Sequence, residues 1–231
     1  MSAASRDDTM QGRLLEAILP HVAFDGWSEA SFQAACRDCY LSSREARLHC
    51  ARGALDLAIL FHENGDKSMQ AMLAASDLSE MRFRDKVAHA VKIRLELVQD
   101  KEAVRRGATL FALPQNAAIG ARLLWGTADA IWTALGDTSR DVNWYTKRAT
   151  LSAVYSTTVL YWLGDDSIEH EETWAFLDRR IENVMQFEKV KGQMRDQKSL
   201  QTLFADPAKL LSKIRAPEPK EWTGRPGFWK T

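Results

Sequence analysis

An all-α fold is what this sequence predicts, on three observations. Gly and Pro are scarce, at 12 and 6 in 231 residues, and three of the Pro fall within the last fifteen. Ala, Leu, Arg and Glu are plentiful, with apolar residues recurring at helical spacing. No stretch alternates apolar and polar side chains for long enough to demand a sheet.

Thr9 is placed to cap a first helix whose Leu14, Leu15, Ile18, Leu19 and Val22 share a face. Gly26 interrupts it, and Ser28 caps a second helix through Cys39, with Phe32, Ala35, Cys36 and Cys39 inward. Ser42 or Ser43 opens a third. Three short helices within residues 1–50 have the dimensions of a helix-turn-helix module. Residues 51–192 then read as a helical core. Its first helix, over 51–75, carries Leu55, Ile59, Leu60, Met69, Met72 and Leu73, with Asn64-Gly65 a candidate break. Residues 79–98 are amphipathic, with Phe83, Val87, Ala90, Val91 and Arg94 in register. A helix over 102–113 stops at Pro114. Residues 115–135 and 143–163 are apolar around much of their circumference, as in helices buried between partners or at an oligomer interface. Asp166 with Glu169 resembles a capping box opening a helix to about residue 190.

Residues 193–231 form a separate tail. Leu200, Leu203, Phe204, Leu210, Leu211 and Ile214 lie among Lys198, Lys209, Lys213 and Arg215, with Pro207 starting a second helical segment after Asp206. Beyond Arg215 the chain, with Trp222 and Trp229, has no clear element.

Composition narrows the function. Apolar residues at 45% and charged residues at 27% are ordinary for a soluble globular protein. No run of eighteen apolar residues exists, so no spanning helix is expected. Residues 1–10 include Asp7 and Asp8 and lack an apolar region, which argues against a secretory signal. Three Cys fit reduced thiols in a cytosol. The net charge is zero, and residues 1–50 hold five Arg, no Lys and seven Asp or Glu. That balance speaks against DNA as partner, because phosphate contacts supply much of the affinity of a DNA-reading module.

Candidates for chemistry are few. Cys36-x-x-Cys39 followed by His49 and Cys50 has the outline of a zinc site, but these thiols fall on the apolar face of a helix, where small buried thiols pack well. His170, Glu171 and Glu172 suggest a metal cluster, yet acidic residues in a first helical turn follow from the helix dipole alone. His21, His49, His62 and His89 have no adjacent nucleophile motif, and no glycine-rich phosphate loop, nucleophile elbow or H-E-x-x-H appears. The expectation is a protein without catalytic residues, metal or cofactor. Met72, Phe83, Leu123, Leu124, Trp125 and Trp132 either enclose a lipid-sized pocket between helices or fill the core. Ile131 and Leu135 are neighbours at a helix end, Gly136 serves as its C-cap, and Asp141 is the expected N-cap of the next helix. Trp144 and Tyr145 follow in its first turn. Adjacent aromatics point in different directions, so at least one is expected at the surface, where it marks an interaction site.

The run from Asp137 through Asn143, Trp144, Tyr145 and Thr146 to Ala149, with Leu151, Ala153, Val154, Tyr155, Thr157 and Thr158 after it, closely resembles the Coq-nine family of ubiquinone biosynthesis. Asp165-Asp166-Ser167, the run from Glu172 to Ile181, and the early Leu19-Pro20-His21-Val22 and Phe24 to Ser28 resemble it too, so the likeness covers roughly residues 12–190. The resemblance implies a tetracycline-repressor-like helical bundle, usually a homodimer, that has lost DNA regulation. It implies a bound isoprenoid lipid or quinone intermediate, and a partner hydroxylase docked on a patch that falls here on Ile131, Leu135, Trp144 and Tyr145. It also implies a C-terminal amphipathic helix for membrane docking, best matched by residues 200–214, although Pro207 and the aromatic tail depart from a simple helix. Six apolar side chains there, each worth about 1.5–3 kcal/mol if fully buried, are ample for reversible membrane binding. No mitochondrial presequence is recognisable, which makes a cytoplasmic bacterial relative, peripheral to the inner membrane, the expectation. The expected function is a lipid-binding accessory protein that lifts quinone precursors from the membrane for a hydroxylase. The rival is a ligand-responsive, DNA-binding repressor on the same fold.

Overall fold

The computed structural model of the chain describes residues 9–196, and their side chains as far as residue 186. Within that span nine α-helices follow one another without a strand. They are α1 (Met10–Asp25), α2 (Glu29–Asp38), α3 (Ser43–His49), α4 (Ala54–Ala75), α5 (Phe83–Glu96), α6 (Lys101–Ala112), α7 (Ala117–Ala134), α8 (Val142–Leu163) and α9 (Glu171–Asp196). A 3-10 turn over Ile168–His170 precedes α9.

The caps sit where the sequence puts them. Thr9 Oγ1 accepts the Gly12 N–H at 3.1 Å and Ser28 Oγ the Ser31 N–H at 3.2 Å. Ser42 and Glu45 complete a reciprocal capping box at α3. Each occupies amide groups that no helical carbonyl can reach.

Two apolar clusters form the interior. The first joins Leu14, Ile18 and Val22 of α1, Phe32 and Cys36 of α2, Ala46 of α3, and Leu57 and Ala58 of α4. The second joins Met69 and Leu73 of α4, Val91 and Leu95 of α5, Ile131 of α7, Val154 and Tyr155 of α8, and Leu177 of α9. Helix α4 therefore belongs to both. The expected boundary at residue 50 follows the chain, but the packing runs across it. Ala103 of α6 lies in the first cluster, and its carbonyl accepts the Trp27 indole N–H at 3.0 Å.

Asn64-Gly65 does not break α4. Gly65 marks a crossing, since a Cβ there would sit 2.5 Å from Arg94 Cζ. The Arg94 guanidinium, buried between α4 and α5, pairs with Asp66 (Nε–Oδ1 2.7 Å) and donates to the His62 carbonyl at 3.0 Å. The Thr127 hydroxyl of α7 donates to Asp66 and lies within hydrogen-bond distance of His62 Nε2 at 2.8 Å. Burial, reinforced by the Arg94 charge and opposed by Asp66, lowers the His62 pKa to about 4, so the ring is neutral near pH 7.

Two element boundaries differ from expectation. Helix α5 begins at Phe83 rather than near residue 79. The capping box read at Asp166 and Glu169 is absent. Asp165 takes that role, its carboxylate accepting the Ser167 N–H at 2.8 Å, the Thr173 N–H at 2.9 Å and the Thr173 hydroxyl. Glu169 and His170 then adopt left-handed φ of 51° and 58° before α9 starts at Glu171. Among the described residues no helix is long and apolar enough to cross a membrane.

Candidate functional site

The turn between α7 and α8 is built around one buried carboxylate. Gly136, at φ 77°, carries the chain out of α7, a conformation that a side chain would penalise. Asp141 then caps α8, accepting the Asn143 N–H at 3.0 Å and the Asn143 side-chain amide at 2.9 Å. Between them Asp137, its side chain only 3% exposed, receives Lys147 Nζ at 2.7 Å, Arg148 Nη1 at 3.0 Å and Ser139 Oγ at 2.8 Å. Burial opposes its ionisation, but hydrogen bonds from Lys147, Ser139 and Arg148 outweigh that and hold its pKa down at about 2. Arg148 is equally buried and also pairs through Nε with Asp129 of α7. Two carboxylates and two cations thus close a neutral cluster at the foot of α8.

On this foundation stands an aromatic group. Trp144 and Tyr145 meet edge to face, with centroids 4.8 Å apart and planes at 78°. Trp125 of α7 approaches them at 5.8 and 6.4 Å. The Arg148 guanidinium lies 4.1 Å from the Trp144 ring centroid, and Trp132 donates to the Lys147 carbonyl at 3.1 Å while stacking on Phe83. Trp144, Tyr145 and Trp125 are all half-buried, each sharing its surface between the bundle and solvent. Rings fixed in this way offer a rigid, amphipathic contact at small entropic cost, which suits recognition of another molecule.

The expected partner residues divide. Trp144 and Tyr145 are together, and Leu135 is half-buried at the end of α7. Ile131 is fully buried, facing the bundle one turn before Leu135, and supports the turn from within rather than offering a contact. Of the residues expected to line a lipid pocket, Leu123 is buried and Leu124 half-buried, whereas Met72 is 46% and Phe83 52% exposed. Trp125 joins the aromatic group instead. A cavity of about 500 Å3 does open where the ends of α5 and α8 meet the start of α9, but Lys92, Leu95, Glu96, Trp162, His170 and Trp174 are among its walls, and none of those five residues is. The expected membrane residues Leu200, Leu203, Phe204, Leu210, Leu211 and Ile214 lie outside the described residues.

Sequence reasoning missed Asp129, Asp137 and Arg148 as parts of the site, and placed Trp125 elsewhere. Trp125 and Asp129 are one turn apart on α7, as Trp144 and Arg148 are on α8, so matched i,i+4 pairs of ring and charge were a usable signal. Elsewhere, Cys36 and Cys50 are buried, and burial, with lesser help from the Asp56 charge, pushes the Cys50 thiol up to about 12, so it stays protonated and packs as a small apolar side chain. Among the described residues no three His, Cys, Asp or Glu converge on a metal position.

Residues 117–188, from the start of α7 well into α9, match the COQ9 family model. The mitochondrial ubiquinone biosynthesis protein COQ9 of Rattus norvegicus is 33% identical over 191 residues, which is 78% of this chain and 60% of that protein. The Homo sapiens protein of the same description is 31% identical, over 78% of this chain and 58% of its own length. The chain thus spans about three fifths of the length of these curated relatives. In structure it is similar to a TetR transcriptional regulator from Nitrosomonas europaea, with a TM-score of 0.61 and 18% identity over 75% of this chain and 96% of that one. That last likeness speaks to the fold. The family's block at residues 117–188 encloses the aromatic turn, and sequence likeness to COQ9 proteins reaches over most of this chain, which carries it on a TetR-like helical frame.

Proposed function

We propose that this chain is a non-enzymatic accessory protein of ubiquinone biosynthesis, one that binds an isoprenoid quinone precursor and presents it to a ring hydroxylase docked at the α7–α8 turn. The observation that carries this reading is the aromatic group of Trp144, Tyr145 and Trp125, locked over a buried ion cluster within the block that matches the family. Fixed rings partly open to solvent are typical anchors of protein interfaces. Leu135 extends the surface along α7. A precursor with a long isoprenoid tail is too insoluble to cross water, so the carrier has to meet it at a bilayer. Residues 200–214 would supply a peripheral contact there, with Leu200, Leu203, Phe204, Leu210, Leu211 and Ile214 in the headgroup boundary and the neighbouring Lys and Arg facing anionic lipid. Two copies would pair through the last core helices, where Leu160 of α8 and Met185 of α9 are exposed at 64% and 50%.

The first test is mass spectrometry of lipid extracted from the gently purified full chain. A prenylated aromatic is the expected cargo. A protein that carries none, and fails to bind quinone-containing liposomes, removes the carrier role. The docking half is tested by Trp144→Lys with Tyr145→Lys, which should abolish co-purification with the hydroxylase and lower cellular quinone.

One observation favours the repressor reading. Helices α2 and α3 do form a capped helix-turn-helix pair on a regulator-like frame. Against it, Arg47 is taken up by Glu29 at 2.7 Å and Arg52 by Asp56 at 2.6 Å, which weakens the face that would meet phosphates. Salt-dependent binding to the protein's own promoter would bring this reading forward.

A further inference from the structure

We propose that Arg148, held between Asp129 and Asp137, is a positioning residue that sets the angle of the Trp144 indole and so the shape of the docking surface. The proposal rests on the docking role given above to the α7–α8 turn. Arg148 follows Trp144 by one helical turn, and helical side chains lean back toward the N-terminus, so its guanidinium comes to lie under the ring one turn before it. The fit is tight at every edge. Nε meets Asp129, Nη1 meets Asp137 at 3.0 Å and the Trp144 carbonyl at 3.2 Å, and the Cζ lies 4.1 Å from the indole centroid.

Each contact fixes a different freedom. The two carboxylates come from opposite sides of the turn, one on α7 and one in the loop, and together they prevent the guanidinium from rotating. The carbonyl contact ties it to the backbone that bears the ring. The stacked face leaves the indole one supported orientation, in which its edge meets Tyr145 and its neighbour is Trp125. Arg148 is 3% exposed, so its attraction to the ring is little weakened by water. A lysine would keep the charge but has neither the planar fork to span two carboxylates nor a face to stack.

The test uses the full chain labelled with 5-fluorotryptophan, with the Trp144 fluorine resonance assigned from Trp144→Phe. In Arg148→Lys that resonance should shift or broaden, with the distant Trp27 signal unchanged, and affinity for the hydroxylase should fall by about tenfold. Asp129→Asn, at a side chain 45% exposed, removes one jaw without emptying the core and should give the same shift in smaller measure. It keeps the proposal testable if Arg148→Lys does not fold. An unmoved Trp144 resonance in both variants overturns the proposal. So does a moved resonance with wild-type affinity where Trp144→Ala abolishes binding, because ring angle is then irrelevant to docking. If Trp144→Ala itself leaves affinity unchanged, the docking reading falls, while a shifted resonance still supports the clamp on the ring.

Discussion

Gly65 shows how a single side chain decides between two opposite expectations. In an exposed helix, Gly→Ala stabilises by about 1 kcal/mol through backbone propensity. Here the new Cβ would lie 2.5–2.6 Å from three atoms of the Arg94 guanidinium, which would have to leave Asp66 in a buried setting. Stranding a buried charge costs more than propensity returns, so Gly65→Ala should destabilise by roughly 2–4 kcal/mol in urea or thermal unfolding. A variant as stable as the parent would show that Arg94 has room to move. Asp137 makes a prediction of the other kind, in pH. Its folded pKa, about 2, lies below the ordinary 3.8, so the folded state binds its proton less readily than the unfolded one. The resulting stabilisation, about 2 kcal/mol, is complete above pH 4–5 and is lost as pH falls through the folded value. Asp137→Asn should therefore be destabilised at neutral pH and lose less stability on acidification, as read from melts between pH 6 and 2.5. Neither role was legible in the sequence. A glycine in a helix reads as a break and an aspartate before a cap reads as loop, because the groups that define them, Arg94 and Arg148, arrive from 29 and 11 residues away.

Elements were legible where their signals are local. Thr9, Ser28, Ser42 and Asp141 each cap a helix within three residues of themselves; three are placed outright by sequence, and the cap of α3 is narrowed to Ser42 or Ser43. The start of α9 was not, because its cap reaches eight residues, from Asp165 to Thr173, over a 3-10 turn. That reach forces Glu169 and His170 into left-handed backbone, and for residues with a Cβ this costs on the order of 1 kcal/mol each. Glu169 is exposed, so little packing would be lost with its side chain. Glu169→Gly should raise stability by about 0.5–1 kcal/mol, seen as a higher melting temperature with α9 intact by circular dichroism. A lower melting temperature would mean that the Glu169 side chain contributes more than its backbone strain costs. The aromatic turn lies between these cases. The alternation of Gly136, Asp141 and paired rings marked it as special, but the arrival of Trp125 on Trp144 depends on how α7 crosses α8, which no local pattern encodes.

At the scale of the whole chain, the three-part division read from the sequence meets a helix that ignores it. Met69 and Leu73 of α4 sit in one cluster while Leu57 and Ala58, three turns earlier, sit in the other. Helix α6 adds a second suture, packing on α1 with Ala103 buried in the first cluster and hydrogen-bonded to Trp27. Opening the N-terminal module would thus strip apolar cover from α4 and α6 at once, and break the hydrogen bond from the buried Trp27 indole to the Ala103 carbonyl. Coupling of that kind makes unfolding a single event. The full chain should lose far-UV ellipticity and tryptophan fluorescence at the same urea concentration, although Trp27 and Trp162 report on different clusters. A fragment of residues 51–196 should expose Leu57 and its neighbours as a new apolar patch and aggregate or remain partly unfolded. If that fragment instead melts cooperatively near the parental temperature, the module is an independent domain, and the packing it shares with α4 and α6 does not couple their unfolding. Its retention would then need a binding role of its own. If the fragment fails, the first three helices are required because the remaining helices cannot complete their packing without them.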